Sequence, residues 1–254
     1  MRELERPSTP AQPPLSSRVA VIGAGRLGTA LAAALAQAGT TVVGPLGRGE
    51  PPLQVGVVLL CVPDGEIAAA AAAVAPGPAV GHCSGATGLE VVAHRDTFSM
   101  HPLMTVAEDR ETTFAGAAAA VAGSTPAALE IARALAATLG MRPVEIAPED
   151  RAAYHAAASI ASNFLITLEA AAERIATSAG LRREDLVALV RATVENWAAL
   201  WPERALTGPI ARGDTVTVSR QRSAVAERAP DLIEMFDALV GATGALARPV
   251  GAPR

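Results

Sequence analysis

The chain has 254 residues, half of them hydrophobic and 18% charged, which allows one large domain or two ordinary ones and argues against disorder. A formal net charge of −4 without a basic block argues against a nucleic-acid surface, and no apolar run reaches the ~20 residues a membrane helix needs. All 21 basic residues are arginine, so chemistry that depends on a lysine amine is excluded.

Residues 1–17 are rich in proline and serine and lack the apolar centre of a secretion signal, so a disordered tail is expected. The organising stretch follows. A short apolar run, Val19 to Ile22, meets Gly23, Ala24, Gly25, Arg26, Leu27 and Gly28, and an alanine-rich helical pattern follows at once. Strand, GxGxxG and helix in that order predict a dinucleotide-binding turn. Gly23 permits the tight turn, Gly25 lets a pyrophosphate approach the backbone, and Gly28 lets helix and strand pack closely. The helix N-terminus offers unpaired N–H groups and partial positive charge to the phosphates.

A second strand is predicted at Thr41 to Val43. About 20 residues past the glycines, an NAD-binding domain carries an acidic residue for the ribose. Here that region reads Gly44-Pro45-Leu46-Gly47-Arg48, with no carboxylate until Glu50. The missing acid and the nearby arginine favour a 2′-phosphate, hence NADP over NAD. Val55 to Val62 reads as a strand buried on both faces. Val62 and Pro63 end it beside the cofactor, and Asp64 is placed to cap a helix from Glu66 to Ala75. Further strands are predicted at Ala79 to His82, Thr97 to Met100, Ala117 to Val121 and Arg142 to Ile146, with a helix over 126–139. This alternation predicts an α/β fold with a doubly wound parallel Rossmann sheet over 18–147.

From residue 148 to 249 the pattern turns all-helical, over 150–179, 183–200 and 229–247, interrupted by the glycine- and proline-bearing loop Leu206 to Asp214. Trp197 and Trp201, i and i+4 on one helix, read as core or dimer packing. Cys61 and Cys83 lack metal-ligand spacing and read as reduced thiols, so a cytoplasmic protein without a metal site is expected.

Ligands of open α/β sheets sit beyond the carboxyl ends of the strands, where Ser84 and His101 fall. On the first helix after the sheet, His155, Ser159, Ser162 and Asn163 share an arc of about 100° in an alanine background, the composition of a lined cleft rather than a solvent face. Tyr154 lies off that stripe. His82 is expected to bond backbone groups, and His94 to sit in an exposed turn.

Taken together, the glycine turn, VPD, HCSGATG, the HP pair, YHAAASIASNF and LTGPIARGD resemble a bacterial family that joins a Rossmann-like domain to a C-terminal helical domain of unknown function. The wider superfamily includes pyrroline-5-carboxylate reductase, ketopantoate reductase, the β-hydroxyacid dehydrogenases and prephenate dehydrogenase. The resemblance implies a nicotinamide cleft between the domains and dimerisation through the helices. Ketopantoate reductase and the β-hydroxyacid dehydrogenases carry a lysine four residues before an asparagine. Asn163 matches the asparagine, which puts Ser159 at the lysine position. Ser84 and His101 resemble the serine and His-Pro histidine of prephenate dehydrogenase.

The expectation is therefore an NADP-dependent oxidoreductase of a small carbonyl or imine substrate, with a keto acid such as ketopantoate as one form. His101, before His155, is the expected proton donor, because imidazole titrates near neutrality. Ser84 and Asn163 would bond the substrate oxygen, Ser159 and Thr207 would line the substrate site, and Arg212 would hold a carboxylate. A homodimer is expected. The alternative is a dinucleotide-binding sensor or partner protein without turnover.

Overall fold

A computed structural model describes residues 18–47, 49–50, 54–108 and 112–247. The predicted tail and Arg48 lie outside the described residues. By compactness the chain divides into two units, one ending at Ser162 and the other beginning at Asn163. The sequence expectation put the division at 147/148, and the first helix after the sheet in fact goes with the sheet.

The first unit is built on seven strands in the order β2-β1-β3-β4-β5-β6-β7. They are β1 (Val19–Ile22), β2 (Val42–Leu46), β3 (Val57–Leu60), β4 (Ala79–His82), β5 (Thr97–Pro102), β6 (Ala118–Gly123) and β7 (Arg142–Glu145). The first five are mutually parallel. β6 runs antiparallel to β5, and β7 is parallel to β6. The sheet is thus parallel-dominated, as expected, with a reversed edge. Parallel neighbours need a crossover, whereas adjacent antiparallel strands do not.

The central strands are buried on both faces, which explains their continuous apolar runs. Val19, Val21, Val57 and Leu59 point to one side, with Leu31 and Leu35 of α1 (Arg26–Gln37) and Leu135 of α3 (Pro126–Thr138). Ala20, Val58, Leu60 and Val80 point to the other, with Ile67 and Ala71 of α2 (Ile67–Ala72). α3 starts where Thr125 accepts from the Ala128 N–H and Pro126 takes the first turn, the chemistry of a helix start. The strand order reverses between β2 and β3 on either side of β1. That switch point places the glycine turn and the ends of β3, β4 and β5 along one edge of the sheet.

The second unit holds α5 (Leu165–Ser178), α6 (Arg183–Ala199), the short α7 (Pro202–Ala205), α8 (Thr215–Arg228) and α9 (Ile233–Leu246). Arg222 grips Asp237 with two bonds of 2.7 and 2.8 Å between α8 and α9, and Arg183 binds Glu173 between α6 and α5. Two expectations change. The helix predicted over 150–179 is α4 (Arg151–Ser159), a π-turn (Ile160–Phe164) and α5. α8 was not predicted at all. Its Thr-Val-Thr-Val start favours strand over helix, yet Asp214 caps it by accepting from the Thr217 N–H at 3.0 Å.

Gly81 of β4 is fixed by packing. A Cβ there would lie 2.3 Å from Cε2 of the fully buried Phe98. Gly81→Ala is expected to lower stability by about 1–3 kcal/mol, the usual cost of overpacking. Urea denaturation checks this, and an unchanged midpoint would contradict the packing described.

Candidate functional site

The glycine turn separates the structural glycines from the one kept open. Gly23 has φ +113°, and a Cβ there would stand 2.3 Å from the Cys61 carbonyl oxygen. A Cβ on Gly28 would stand 1.9 Å from the Gly23 oxygen and 3.1 Å from Cys61 Cβ. Both positions therefore admit only glycine, for internal reasons. Gly25 differs. It has ordinary extended backbone, and a Cβ there meets nothing within 4 Å. Gly25 is the N-cap of α1, no side chain caps the helix, and its first turn holds no acid. The positive end of the helix is thus left open at Gly25, which suits a pyrophosphate. Arg26 and Ala24 are exposed beside it, while Leu27 packs into the core. At the end of β2, the Glu50 carboxylate accepts from the Gly47 N–H at 3.0 Å.

Past β3, Val62 packs on the core and the Pro63 carbonyl accepts from the Glu66 N–H. Asp64 does not cap α2. Its Oδ2 accepts from the Ser84 hydroxyl at 2.7 Å and the Thr87 hydroxyl at 3.1 Å. Ser84 Oγ also accepts from the N–H groups of Ala86 and Thr87 at 3.1 and 2.9 Å. A hydroxyl has one proton and two lone pairs, and all are engaged, so Ser84 ties the β3 and β4 loops together instead of facing a substrate. His82 is fully buried. Its Nδ1 accepts from the Ser84 N–H, so its Nε2–H donates to the Gly88 carbonyl at 3.2 Å. His94, expected in an exposed turn, is half-buried and bonded to the Ala71 carbonyl.

His101 is the penultimate residue of β5, and its Nδ1 lies 2.6 Å from the Tyr154 hydroxyl. The rings stand edge to face, and His155 closes a second edge contact 6.3 Å from His101. Gly85 lies between the imidazoles: a Cβ there would be 2.9 Å from an atom of each ring. Tyr154, set aside by the stripe argument, is thus the partner of the preferred histidine. Arg151, three residues earlier, is 8% exposed. Its guanidinium donates to the Ser84 carbonyl at 3.2 Å and to Ser99 Oγ at 2.8 Å. Both partners are neutral, and among the described residues no carboxylate forms an ion pair with it.

Burial pushes the His101 imidazole down to about 4, helped by the His155 and Arg151 charges. Burial also pushes the Tyr154 phenol up to about 12, against the pull of Arg151. His101 is therefore neutral at pH 7, which overturns the expectation of an imidazolium donor at this position. The remaining expected residues do not join this cluster. Ser159 ends α4, and the π-turn breaks the regular 100° step before Ser162 and Asn163. Thr207 and Arg212 share a cavity of about 360 Å³ within the second unit, together with Glu203. Trp197 and Trp201 do not share a helix, because α6 ends at Ala199; both are exposed, at 63% and 76%. Among the described residues no helix is long and apolar enough to cross a membrane.

Residues 117–243, half of the chain, match the model of the family described as Domain of unknown function (DUF2520). The chain belongs to the DUF2520 family. The matched stretch of this DUF2520 chain includes Arg151, Tyr154 and His155, while the glycine turn and His101 precede it. A search of curated proteins finds no match. Solved structures do resemble the chain in fold. BF3122 from Bacteroides fragilis, named as a candidate NADP oxidoreductase, is 21% identical, with a TM-score of 0.78 over 90% of this chain and 98% of that one. TM1727 from Thermotoga maritima is 24% identical, with a TM-score of 0.70 over the same shares. A reductive aminase from Aspergillus terreus, in complex with NADPH and ethyl levulinate, is 14% identical, with a TM-score of 0.68 over 91% of this chain and 98% of that one.

The low His101 value has a consequence for stability. Its folded value of about 4 lies below the ordinary ~6.5 of an unfolded imidazole, so folding favours the neutral ring. That contribution is complete above about pH 6.5 and is lost as pH falls toward about 4. Wild type should lose roughly 3 kcal/mol more than His101→Gln over this window. Urea unfolding of both proteins at several pH values measures the difference. Parallel pH profiles would show that His101 is not held neutral.

Proposed function

We propose that the chain is an NADP-dependent oxidoreductase of a small carbonyl or imine compound that carries an anionic group such as a carboxylate. The observation that carries this reading is the Tyr154–His101 pair, with the buried Arg151 beside it, on the same sheet edge as the open Gly25 position. NADPH, when bound, supplies the hydride. Gly25 and the first N–H groups of α1 would hold its pyrophosphate, and Arg48 would meet the 2′-phosphate.

This chain's own residues must supply orientation and a proton. Between a phenol and a neutral imidazole the phenol is the better acid, so Tyr154 donates to His101 Nδ1. The imidazole proton then sits on Nε2 and is available to a substrate oxygen or nitrogen. As Nε2 gives up its proton, Nδ1 takes the one held by Tyr154, and the nearby Arg151 charge stabilises the phenolate. The relay needs no lysine and no imidazolium. The same positive charge, whose direct hydrogen-bond partners are neutral and which the Glu90 carboxylate reaches only through space, favours an anionic substrate. A sensor without turnover would have no use for the pair.

The test combines two kinds of variant. Gly25→Val should keep the fold, since an added Cβ meets no atom within 4 Å, and should lower stability by no more than about 1 kcal/mol at the N-cap of α1. It should nevertheless weaken NADPH binding about 5- to 150-fold, the equivalent of about 1–3 kcal/mol of overpacking against the pyrophosphate. Tyr154→Phe and His101→Asn should do the reverse. They should keep NADPH affinity and lose about 10²–10⁴-fold in NADPH oxidation with a panel of 2-keto acids and cyclic imines. Nicotinamide fluorescence should rank NADPH above NADH, and Arg48→Ala should remove that preference. Unimpaired NADPH binding by Gly25→Val would sink the reading.

We further propose a homodimer through the second unit. Of its described residues only Val225 and Ala229 are buried among the hydrophobics, while Leu189, Trp197 and Trp201 are more than 60% exposed. A helical unit with so little core of its own gains by covering those faces. Light scattering should give twice the chain mass at micromolar concentration, and Trp197→Glu should lower it. A monomeric wild type would exclude the dimer.

A further inference from the structure

The chain has two cysteines, and the fold brings them together beneath the glycine turn. β3 and β4 are parallel neighbours with Leu60 opposite His82. The next residue of each strand is a cysteine, so Cys61 and Cys83 are register partners. The ladder continues through them: the Cys83 N–H donates to the Leu60 carbonyl at 3.1 Å, and the Cys61 N–H to Ile22 at 2.7 Å. Their sulfurs lie 3.7 Å apart. Neighbouring strands are ~4.8 Å apart, inside the ~4.4–6.8 Å Cα separation a disulfide accepts. Neighbouring strands are thus within a disulfide's reach, and the sulfurs, together with the Cβ atoms that carry them, must draw closer for an S–S bond of about 2.05 Å.

We propose that Cys61 and Cys83 form a reversible disulfide that weakens dinucleotide binding; this second half rests on the function proposed above. Cys61 is partly exposed and Cys83 is buried, which sets the order of attack. The oxidant is a low-molecular-weight disulfide such as oxidised glutathione. The Cys61 thiolate attacks one of its sulfurs, breaks that S–S bond and releases one glutathione thiolate, which takes up the Cys61 proton. Cys83 then attacks the Cys61 sulfur and releases the second glutathione, which takes the Cys83 proton. Two thiols are oxidised and one glutathione disulfide is reduced to two thiols, so electrons and protons balance. The Cys61 bond and burial hold the Cys83 thiol well above its usual range, consistent with Cys83 as the resolving partner.

The consequence for binding follows from packing. The Gly23 and Gly28 positions rest on Cys61 without slack: an added Cβ would come within 2.3 Å of its carbonyl oxygen and 3.1 Å of its Cβ, respectively. Drawing the Cys61 Cβ toward β4 moves the atom on which Gly28 of the turn sits. Binding at the turn and bond formation are then coupled. By linkage, NADPH must oppose the disulfide by the same factor by which the disulfide opposes NADPH.

The full chain is equilibrated in glutathione buffers of rising oxidised fraction, with and without NADPH. It is then alkylated and read by intact mass and by non-reducing electrophoresis. The expected product is a monomeric chain lacking two hydrogen atoms, which with two cysteines can only be the 61–83 bond. Cys61→Ser and Cys83→Ala, each carrying one cysteine, should not form it. Oxidised wild type should bind NADPH about 5- to 150-fold more weakly than reduced, and NADPH should shift the disulfide midpoint by the same factor. Glutathione adducts alone, or no oxidation of the folded chain, would overturn the bond itself. A bond that forms without changing NADPH affinity would overturn the coupling. A reduced chain that forms the bond but fails to bind NADPH would instead overturn the nucleotide reading, and the coupling with it.

Discussion

The arrangement depends on one buried cation. Arg151 is the first residue of α4, and its guanidinium holds the end of β4 through the Ser84 carbonyl and the middle of β5 through Ser99. Residues three and four positions along a helix share a face. Once Arg151 is fixed to the sheet, Tyr154 and His155 are therefore delivered to His101 and Gly85. Gly85 has no side chain because the two imidazoles occupy its space. Removing Arg151 would remove two bonds that tie the start of α4 to β4 and β5.

A buried guanidinium whose hydrogen-bond partners are both neutral, with the Glu90 carboxylate acting only through space, is a costly way to fasten a helix. A buried charge is normally paired, and neutral hydrogen bonds recover only part of its hydration. An apolar residue would pack α4 against the sheet at lower cost. Here the charge acts on its surroundings. It lowers the affinity of His101 for a proton and lowers the cost of ionising Tyr154. Burial alone would push both groups toward neutrality. The charge makes the neutral imidazole more secure and the phenolate more accessible, and the proposed relay needs both.

Much of this was legible in the sequence, and the part that was not has a physical cause. The order of strands and helices was readable because burial on both faces gives β1, β3 and β4 unmistakable runs, and because the glycine turn marks its own position. His101 could be placed near the end of β5 because a strand end is a place in the sheet. Tyr154 was missed because the helical stripe was referenced to His155, Ser159, Ser162 and Asn163. The π-turn spoils that frame, whereas Arg151 defines the true inward face. Arg151 itself looked like one more arginine in a chain without lysine. Ser84 was correctly placed but misread, since a serine after a strand shows no sign that its proton is already taken by Asp64. α8 was not read from the sequence: its β-branched start gives a weak helical signal, and the Asp214 cap was absorbed into the loop before it.

The missing lysine and the neutral histidine bear on each other. A lysine donor works by carrying a charge that the product discharges, and an imidazolium does the same. This chain lacks the first, and its fold suppresses the second by burying His101 beside Arg151. A neutral donor chain must then return its proton deficit to a group that tolerates negative charge. Tyr154 is the group that meets His101 Nδ1, and Arg151 is the cation close enough to make its phenolate tolerable. Any anion that displaces charge from this region, a substrate carboxylate included, competes for the same field. In the proposed reaction the guanidinium would therefore link substrate binding to proton supply. A substrate whose carboxylate approaches Arg151 closely would bind better and receive its proton less readily, which favours an anionic group held at a distance from the reacting carbon.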